Sequence, residues 1–191
     1  MKYASSDDPI KSNSDFPSIE SQNYYLFNND FNPGSTGDLI KFILERSLAA
    51  KKPKQIKLLI NSPGGDLHSC FALIDTMKGS PVPIHTYGLG MIASCGLLTF
   101  IAGEKGKRFI TRNTSILSHQ WCWGTFGKEH ELFAAVKEFD LTTKRILEHY
   151  QKCTGLSEKK IREHLLPPED RWLTAKEAVK LGLADEIVDF Y

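Results

Sequence analysis

Across residues 79–103 the chain carries no Asp, Glu, Lys or Arg. A stretch of this length without charge has to leave water, either across a bilayer or inside a core. Its punctuation decides between the two. Pro81, Pro83 and His85 fall in the first third, and Gly88 and Gly90 follow. The unbroken apolar part, residues 91–102, is too short to cross a hydrocarbon layer, which takes about 20 residues. A buried strand, a turn and a buried helix account for the run, and no membrane segment is expected.

The flanking sequence repeats this alternation. Tyr24–Phe27 (YYLF) reads as a strand and residues 28–37 as turn chemistry. Residues 38–50 have apolar positions at Ile40, Ile43, Leu44 and Leu48, a helical spacing. Residues 55–60 (QIKLLI) read as a strand, 61–65 (NSPGG) as a tight turn, and 66–78 as a helix. A strand over 82–87 ends near Gly88, and an apolar helix follows over 93–102. Residues 108–111 and 116–118 are short strands. A long helix over 129–153 sets Leu132, Val136, Phe139, Thr143, Ile146 and Tyr150 along one side. Another helix spans 157–165. Thr174 caps a last one, with Glu177 completing a capping box and Gly182 closing it. Such alternation predicts an α/β fold with a mainly parallel core sheet and flanking helices. Residues 1–23, polar and containing Pro9 and Pro17, predict a flexible N-terminal arm. Residues 24–191 predict one domain, with no internal repeat.

Hydrophobic residues make up 41% and charged residues 25%, ordinary for a soluble chain. The formal net charge of +1 gives no argument for nucleic acid or an anionic membrane. The four cysteines, Cys70, Cys95, Cys122 and Cys153, are widely spaced without a CxxC pair, so zinc and thioredoxin-type signals are absent. Each lies in an apolar or helical pattern, which predicts buried free thiols and a reducing compartment such as the cytoplasm. The first residues, MKYASSDDPIKSNSDF, contain no apolar h-region, so no secretory signal is expected.

Four features point to chemistry, and each alone has an ordinary structural explanation. NSPGG follows an apolar strand and precedes a helix, where glycine amides suit an anion or a developing oxyanion. It is equally a plain strand-to-helix turn. In GLGMIASCG, Ser94 stands at a helix entrance, where the dipole and the next amide favour an alkoxide or oxyanion. It could also merely cap that helix. His119 ends a strand, and Asp170 sits in a loop before a capped helix. A serine, a histidine and an aspartate so arranged are the parts of a Ser-His-Asp system.

INSPGG, then GMIASCG, then the His-Gln of SHQ, then EDRWLTAKEAVKLGLAD, in order and at matching intervals, resemble the Clp protease proteolytic subunit family. The resemblance covers roughly residues 55–188. It implies a ClpP/crotonase-like superfamily fold whose long helix, about 128–153, is a protruding handle. It implies a serine endopeptidase: Ser94 as nucleophile, His119 as general base, Asp170 orienting His119, and the amides of Gly65 and Cys95 as the oxyanion hole. Gly124 and Gly127 match a glycine-bearing strand that binds extended substrate and meets an opposite ring. The family assembles as a heptameric ring or as a double ring enclosing a chamber for unfolded chains and short peptides.

The sequence departs from the family at several places. Trp121 replaces the proline after His-Gln, and Glu169 replaces an arginine that helps join ring to ring. Two extra residues lie near Pro167-Pro168. Lys57 and Leu59 occupy positions where the family's docking groove for its ATPase is aromatic. No GxxxxGK[ST] occurs, so no cofactor is expected and ATP would act only through a partner, an AAA+ unfoldase. These departures keep a second reading open: a catalytically weak or inactive ring subunit, structural within a mixed complex of related subunits. Acyl-CoA chemistry on the same fold is disfavoured by Ser94 with His119, and a Ser-Lys membrane protease by the want of an anchor.

Overall fold

The computed structural model describes residues 17–189. Its centre is a seven-stranded sheet. One path through it runs β1 (Tyr24–Phe27), β2 (Ile56–Ser62), β3 (Ile84–Ala93), β4 (Arg108–Thr111) and β7 (Glu186–Val188), every neighbouring pair parallel. A branch leaves it: β5 (Ser115–Ser118) pairs parallel with the end of β3, and β6 (Arg171–Leu173) pairs antiparallel with β5. Around the sheet lie α1 (Pro33–Leu48), α2 (Leu67–Gly79), α3 (Cys95–Ile101), α4 (Glu129–Thr154), α5 (Glu158–His164) and α6 (Ala175–Lys180). This is the α/β class, with a mainly parallel sheet, that the alternation of elements predicts.

The charge-free run is explained by α3. All seven of its residues are buried, packed among β2, β3, β5, α2 and α4. A helix surrounded on every side has no face for a charge. β2 shows the other common pattern. Ile56, Leu58 and Ile60 are fully buried, and the alternate positions are half-buried.

Two boundaries differ from expectation. α1 starts at Pro33, inside the segment read as turn. Asn32 Oδ1 accepts from the N–H groups of Gly34 and Ser35, and Ser35 Oγ accepts from the Asn32 N–H. Pro33 at the first position costs nothing there, because that N–H has no helical partner anyway. β3 does not stop near Gly88 but runs to Ala93. Its glycines mark a kink, with a register break against β2 between Ile60 and Ser62. At the break Asn61 Oδ1 accepts the Met91 N–H at 2.9 Å. Before it β3 pairs with β4, and beyond it with β5.

Distant segments are joined by buried polar groups. Arg108, 2% exposed, donates from Nε and Nη2 to Asp185 and from Nη1 to the Cys153 carbonyl. Burial opposes ionisation of Asp185, but hydrogen bonds from the Arg108 guanidinium and from the backbone outweigh it and hold the carboxyl below its ordinary pKa. Removing one partner of such a pair costs about 3–5 kcal/mol, because the other charge stays buried. His149 is also buried. Its Nε2 lies 2.8 Å from the Leu98 carbonyl, and Lys78 Nζ lies 3.1 Å from its Nδ1. Burial, with Lys78 nearby, lowers its pKa to about 4.

Residues 1–16 of the expected arm lie outside the described residues. Within 17–23, Glu20–Gln22 form a 3-10 turn, and Arg46 donates to the Glu20 carbonyl and to Asn23 Oδ1. The cysteines are free thiols, but Cys122 is exposed. It lies in residues 119–128, which hold no helix or strand, and its neighbours Trp121 and Trp123 turn to Phe139 while the thiol faces out; Cys153 is only partly buried.

Candidate active site

The branch of the sheet positions the candidate residues. β3 ends at Ala93, and Ala93 is paired with Leu117 of β5, so Ser94 and Ser118 lie at one level. β5 in turn pairs Ser118 with Arg171 of β6, which makes His119 and Asp170 the next pair beyond the register. Three neighbouring strand ends therefore deliver Ser94, His119 and Asp170 to one edge of the sheet.

Ser94 forms a strand-to-helix elbow with φ 53° and ψ −118°, a conformation that costs a non-glycine residue about 1–3 kcal/mol. Two hydrogen bonds hold it: its N–H donates to the Leu117 carbonyl, and its carbonyl accepts from the Leu98 N–H, each at 3.0 Å. The hydroxyl makes no cap hydrogen bond, so the elbow does not use it for helix capping.

Against this elbow lies the Gly64-Gly65 turn, with φ of 107° and 143°. A methyl group on Gly64 would come 2.7 Å from the Ser94 Cβ and 3.2 Å from the Cys95 nitrogen. One on Gly65 would collide with the Phe31 backbone. Phe31 takes up the groups flanking Gly65: its N–H donates to Gly64 O and its carbonyl accepts from Asp66 N–H, each at 2.8 Å. The Gly65 N–H is left outside that ladder. The buried Cys95 thiol donates to the Gly65 carbonyl at 3.2 Å, tying the two loops together. Cys70 in turn donates to the Cys95 carbonyl at 3.5 Å.

The histidine side is looser. His119 Nδ1 lies 3.7 Å from Asp170 Oδ1, an ion-pair distance rather than a hydrogen bond. The Asp170 side chain is 63% exposed. His119 Nε2 is buried and has no hydrogen-bond partner. The loop behind it is well held. Ser118 Oγ donates to the Leu165 carbonyl at 2.6 Å, and Gln120 Nε2 donates to the Leu166 carbonyl at 3.0 Å.

Ser94 and His119 line the same recess, walled by Leu67, Leu98, Trp121, Ile146 and Tyr150. Sequence reasoning named these wall residues, if at all, only as core or as a departure. Their helical spacing is a core signal, and nothing in it marks a site. Gly124 and Gly127 do not line this recess. Their segment pairs with no strand among the described residues. Among the described residues no group of three or more His, Cys, Asp or Glu is placed to hold a metal ion. Among the described residues no helix is long and apolar enough to cross a membrane.

Chemically, one recess holds a serine whose hydroxyl makes no cap hydrogen bond and a histidine with an imidazole nitrogen that has no hydrogen-bond partner. The Gly64-Gly65 turn packs against the same elbow. This suits acyl transfer.

The profile of the family described as Clp protease matches residues 33–190. The chain is similar to ATP-dependent Clp protease proteolytic subunit 2 of Corynebacterium diphtheriae, 36% identical over 143 residues, 74% of this chain and 71% of that one. It is 38% identical to the subunit of that name from Mycolicibacterium paratuberculosis over 142 residues, covering 74% and 70%. With ATP-dependent Clp protease proteolytic subunit 1 of Leifsonia xyli subsp. xyli the identity is 39% over 141 residues, covering 73% and 71%.

Proposed function

The chain belongs to the Clp protease family, and from that premise we propose that it is a serine endopeptidase. In this reading Ser94 Oγ attacks the scissile carbonyl, and His119 takes its proton and passes it to the leaving amine. Asp170 holds His119 in orientation. The Gly65 and Cys95 amides stabilise the oxyanion. Water then releases the acyl group with His119 acting again as base. The observation that carries the reading is the Ser94 elbow: a strained serine whose hydroxyl is kept out of helix capping, packed against a glycine turn, in one recess with an unpartnered imidazole nitrogen.

Substrates are unfolded polypeptides or short peptides, cut inside a self-assembled ring, heptameric or double. A separate ATP-dependent unfoldase feeds it. The first half of α4 supports assembly: Leu132, Phe133 and Val136 are 39%, 69% and 53% exposed on one helix, an apolar surface that a second copy would cover. The docking surface departs from the family's aromatic groove. Lys57 Nζ donates to the Tyr24 hydroxyl at 2.6 Å and lies over its ring. A reducing, cytoplasmic setting suits the free thiols.

Ser94→Ala tests the assignment. It is expected to abolish peptide hydrolysis and fluorophosphonate labelling while the size in solution stays the same. Labelling that persists in Ser94→Ala sinks it.

The 3.7 Å gap between His119 and Asp170 favours a second reading, a subunit weakly active alone and completed within a mixed ring. The relatives carry names of two numbered proteolytic subunits, which is in keeping with it. If purified chain cleaves no peptide but gains labelling at Ser94 when mixed with a related subunit, this reading prevails.

A further inference from the structure

Resting on the reading of Ser94 as nucleophile, we propose that Trp121 restricts substrates by walling off the recess beside Ser94, so that cleavage follows small residues such as Gly, Ala or Ser. When a peptide carbonyl sits on Ser94 Oγ with its oxygen toward Gly65 and Cys95, the side chain on its acyl side lies next to Ser94. It must enter the recess that Ser94 lines. That recess has a cavity volume of about 10 Å³, the space of about one water molecule. A leucine or phenylalanine side chain does not fit.

A larger space lies directly behind the wall. A cavity of about 170 Å³, lined by Gln120, Phe139, Thr143 and Leu166, shares Trp121 and Ile146 with the recess. The indole is the partition between them. It is held there on two sides: Nε1–H donates to Thr143 Oγ1 at 3.1 Å, and the ring stacks on Phe139 with centroids 4.7 Å apart at 22°. Swinging it aside to admit a large residue forfeits a part-buried hydrogen bond and a stacked aromatic pair. Truncating it instead joins the two spaces into one larger pocket, apolar along Phe139, Ile146 and Leu166 with Arg162 at its edge.

The experiment uses the full chain and peptidyl diphenylphosphonates that differ only in the residue next to phosphorus: Ala, Leu or Phe. The readout is the rate of covalent labelling at Ser94, followed by intact mass. The unaltered chain labels with the Ala probe about tenfold or more faster than with Leu or Phe. Trp121→Ala moves the Leu-to-Ala ratio toward the large probe by about tenfold or more. Trp121→Phe keeps the stack on Phe139, guards against a misfolded truncation, and gives an intermediate ratio. Thermal melts accompany each variant. Labelling at Ser94 with equal Ala and Leu rates in the unaltered chain, or a ratio that neither variant moves, overturns the partition alone. If no probe, including a small fluorophosphonate, labels Ser94, the peptidase reading falls and the partition falls with it.

Discussion

The two halves of the candidate site are built differently. The half proposed as the oxyanion hole, Gly64, Gly65, Ser94 and Cys95, is backbone wedged into the core. Its hydrogen bonds run from 2.8 to 3.5 Å, the longest from a thiol, and its glycines leave no room for a methyl group. The acid–base half, His119 and Asp170, hangs on strand ends and a loop, with one partner 63% exposed and a 3.7 Å separation. The first half is fixed by the same packing that folds the chain. The second rests on the register of β5 on β6 and on the Ser118 and Gln120 hydrogen bonds behind it, which leave the His119–Asp170 contact itself long. Chemistry and folding are therefore separable on one side and fused on the other.

Mutations should expose that separation. The largest effect is expected at His119. His119→Ala lowers the rate of serine labelling by about 10⁴-fold, as loss of a triad base does, yet moves the melting midpoint little, since Nε2 has no partner to lose. A melting point that collapses with activity would erase the contrast between the halves. Gly65→Ala is next. It lowers labelling by up to about 10²- to 10³-fold, because the clash shifts the Gly65 N–H, the proposed oxyanion donor, out of place, and it also costs about 3 kcal/mol or more in denaturant unfolding, because the new methyl group meets Phe31. Normal stability in Gly65→Ala would show that the turn is not wedged.

His149 sharpens the comparison through pH. Its pKa is lowered from 6.5 to about 4 in the fold. The unfolded chain therefore binds the extra proton first. The stabilising effect of neutral His149 is full above about pH 6.5 and is lost as pH falls toward 4, amounting to at most ~3 kcal/mol. Because His149 bonds the Leu98 carbonyl on α3, this acid loss falls on the helix that Ser94 begins. Melting midpoints from pH 7 to 4 should fall less steeply in His149→Gln than in the parent. Parallel curves would remove His149 as the cause. The smallest effect is at Cys95. Cys95→Ala removes the thiol bond to Gly65 and lowers turnover with little change in KM, by about 1 kcal/mol. Cys95→Ser, which keeps a donor, recovers part of it. An unchanged kcat in Cys95→Ala would show that the thiol does not hold the loops together.

Sequence legibility followed the same divide. The glycine turn and the serine elbow are contiguous, so INSPGG and ASCG could be read directly. Most elements were readable from periodicity, including the full extent of α4 to within a residue and the Thr174–Glu177 capping box. The misses have physical causes. Asn32 with Ser35 makes a capping box without the usual Glu or Gln, so α1 was started too late. Gly88 looked like a stop but lies within a kinked strand. β7, three residues long, has too short an alternation to register, and its pairing with β4 is a contact across the whole fold. The recess walls come from α2, α3, α4 and the 119–128 segment, and no local pattern marks residues whose shared role exists only after packing.

The Arg108 clamp bears on synthesis. Arg108 is a strand residue midway along the chain, yet its guanidinium is satisfied only by Cys153 and Asp185. A nascent chain that has reached β4 carries a cation it has no means to bury, and β4 lacks the β7 partner on its other edge. The sheet therefore cannot close as translation proceeds, and must wait for residue 185 to leave the ribosome. At about 5–20 residues per second this holds the forming core open for seconds.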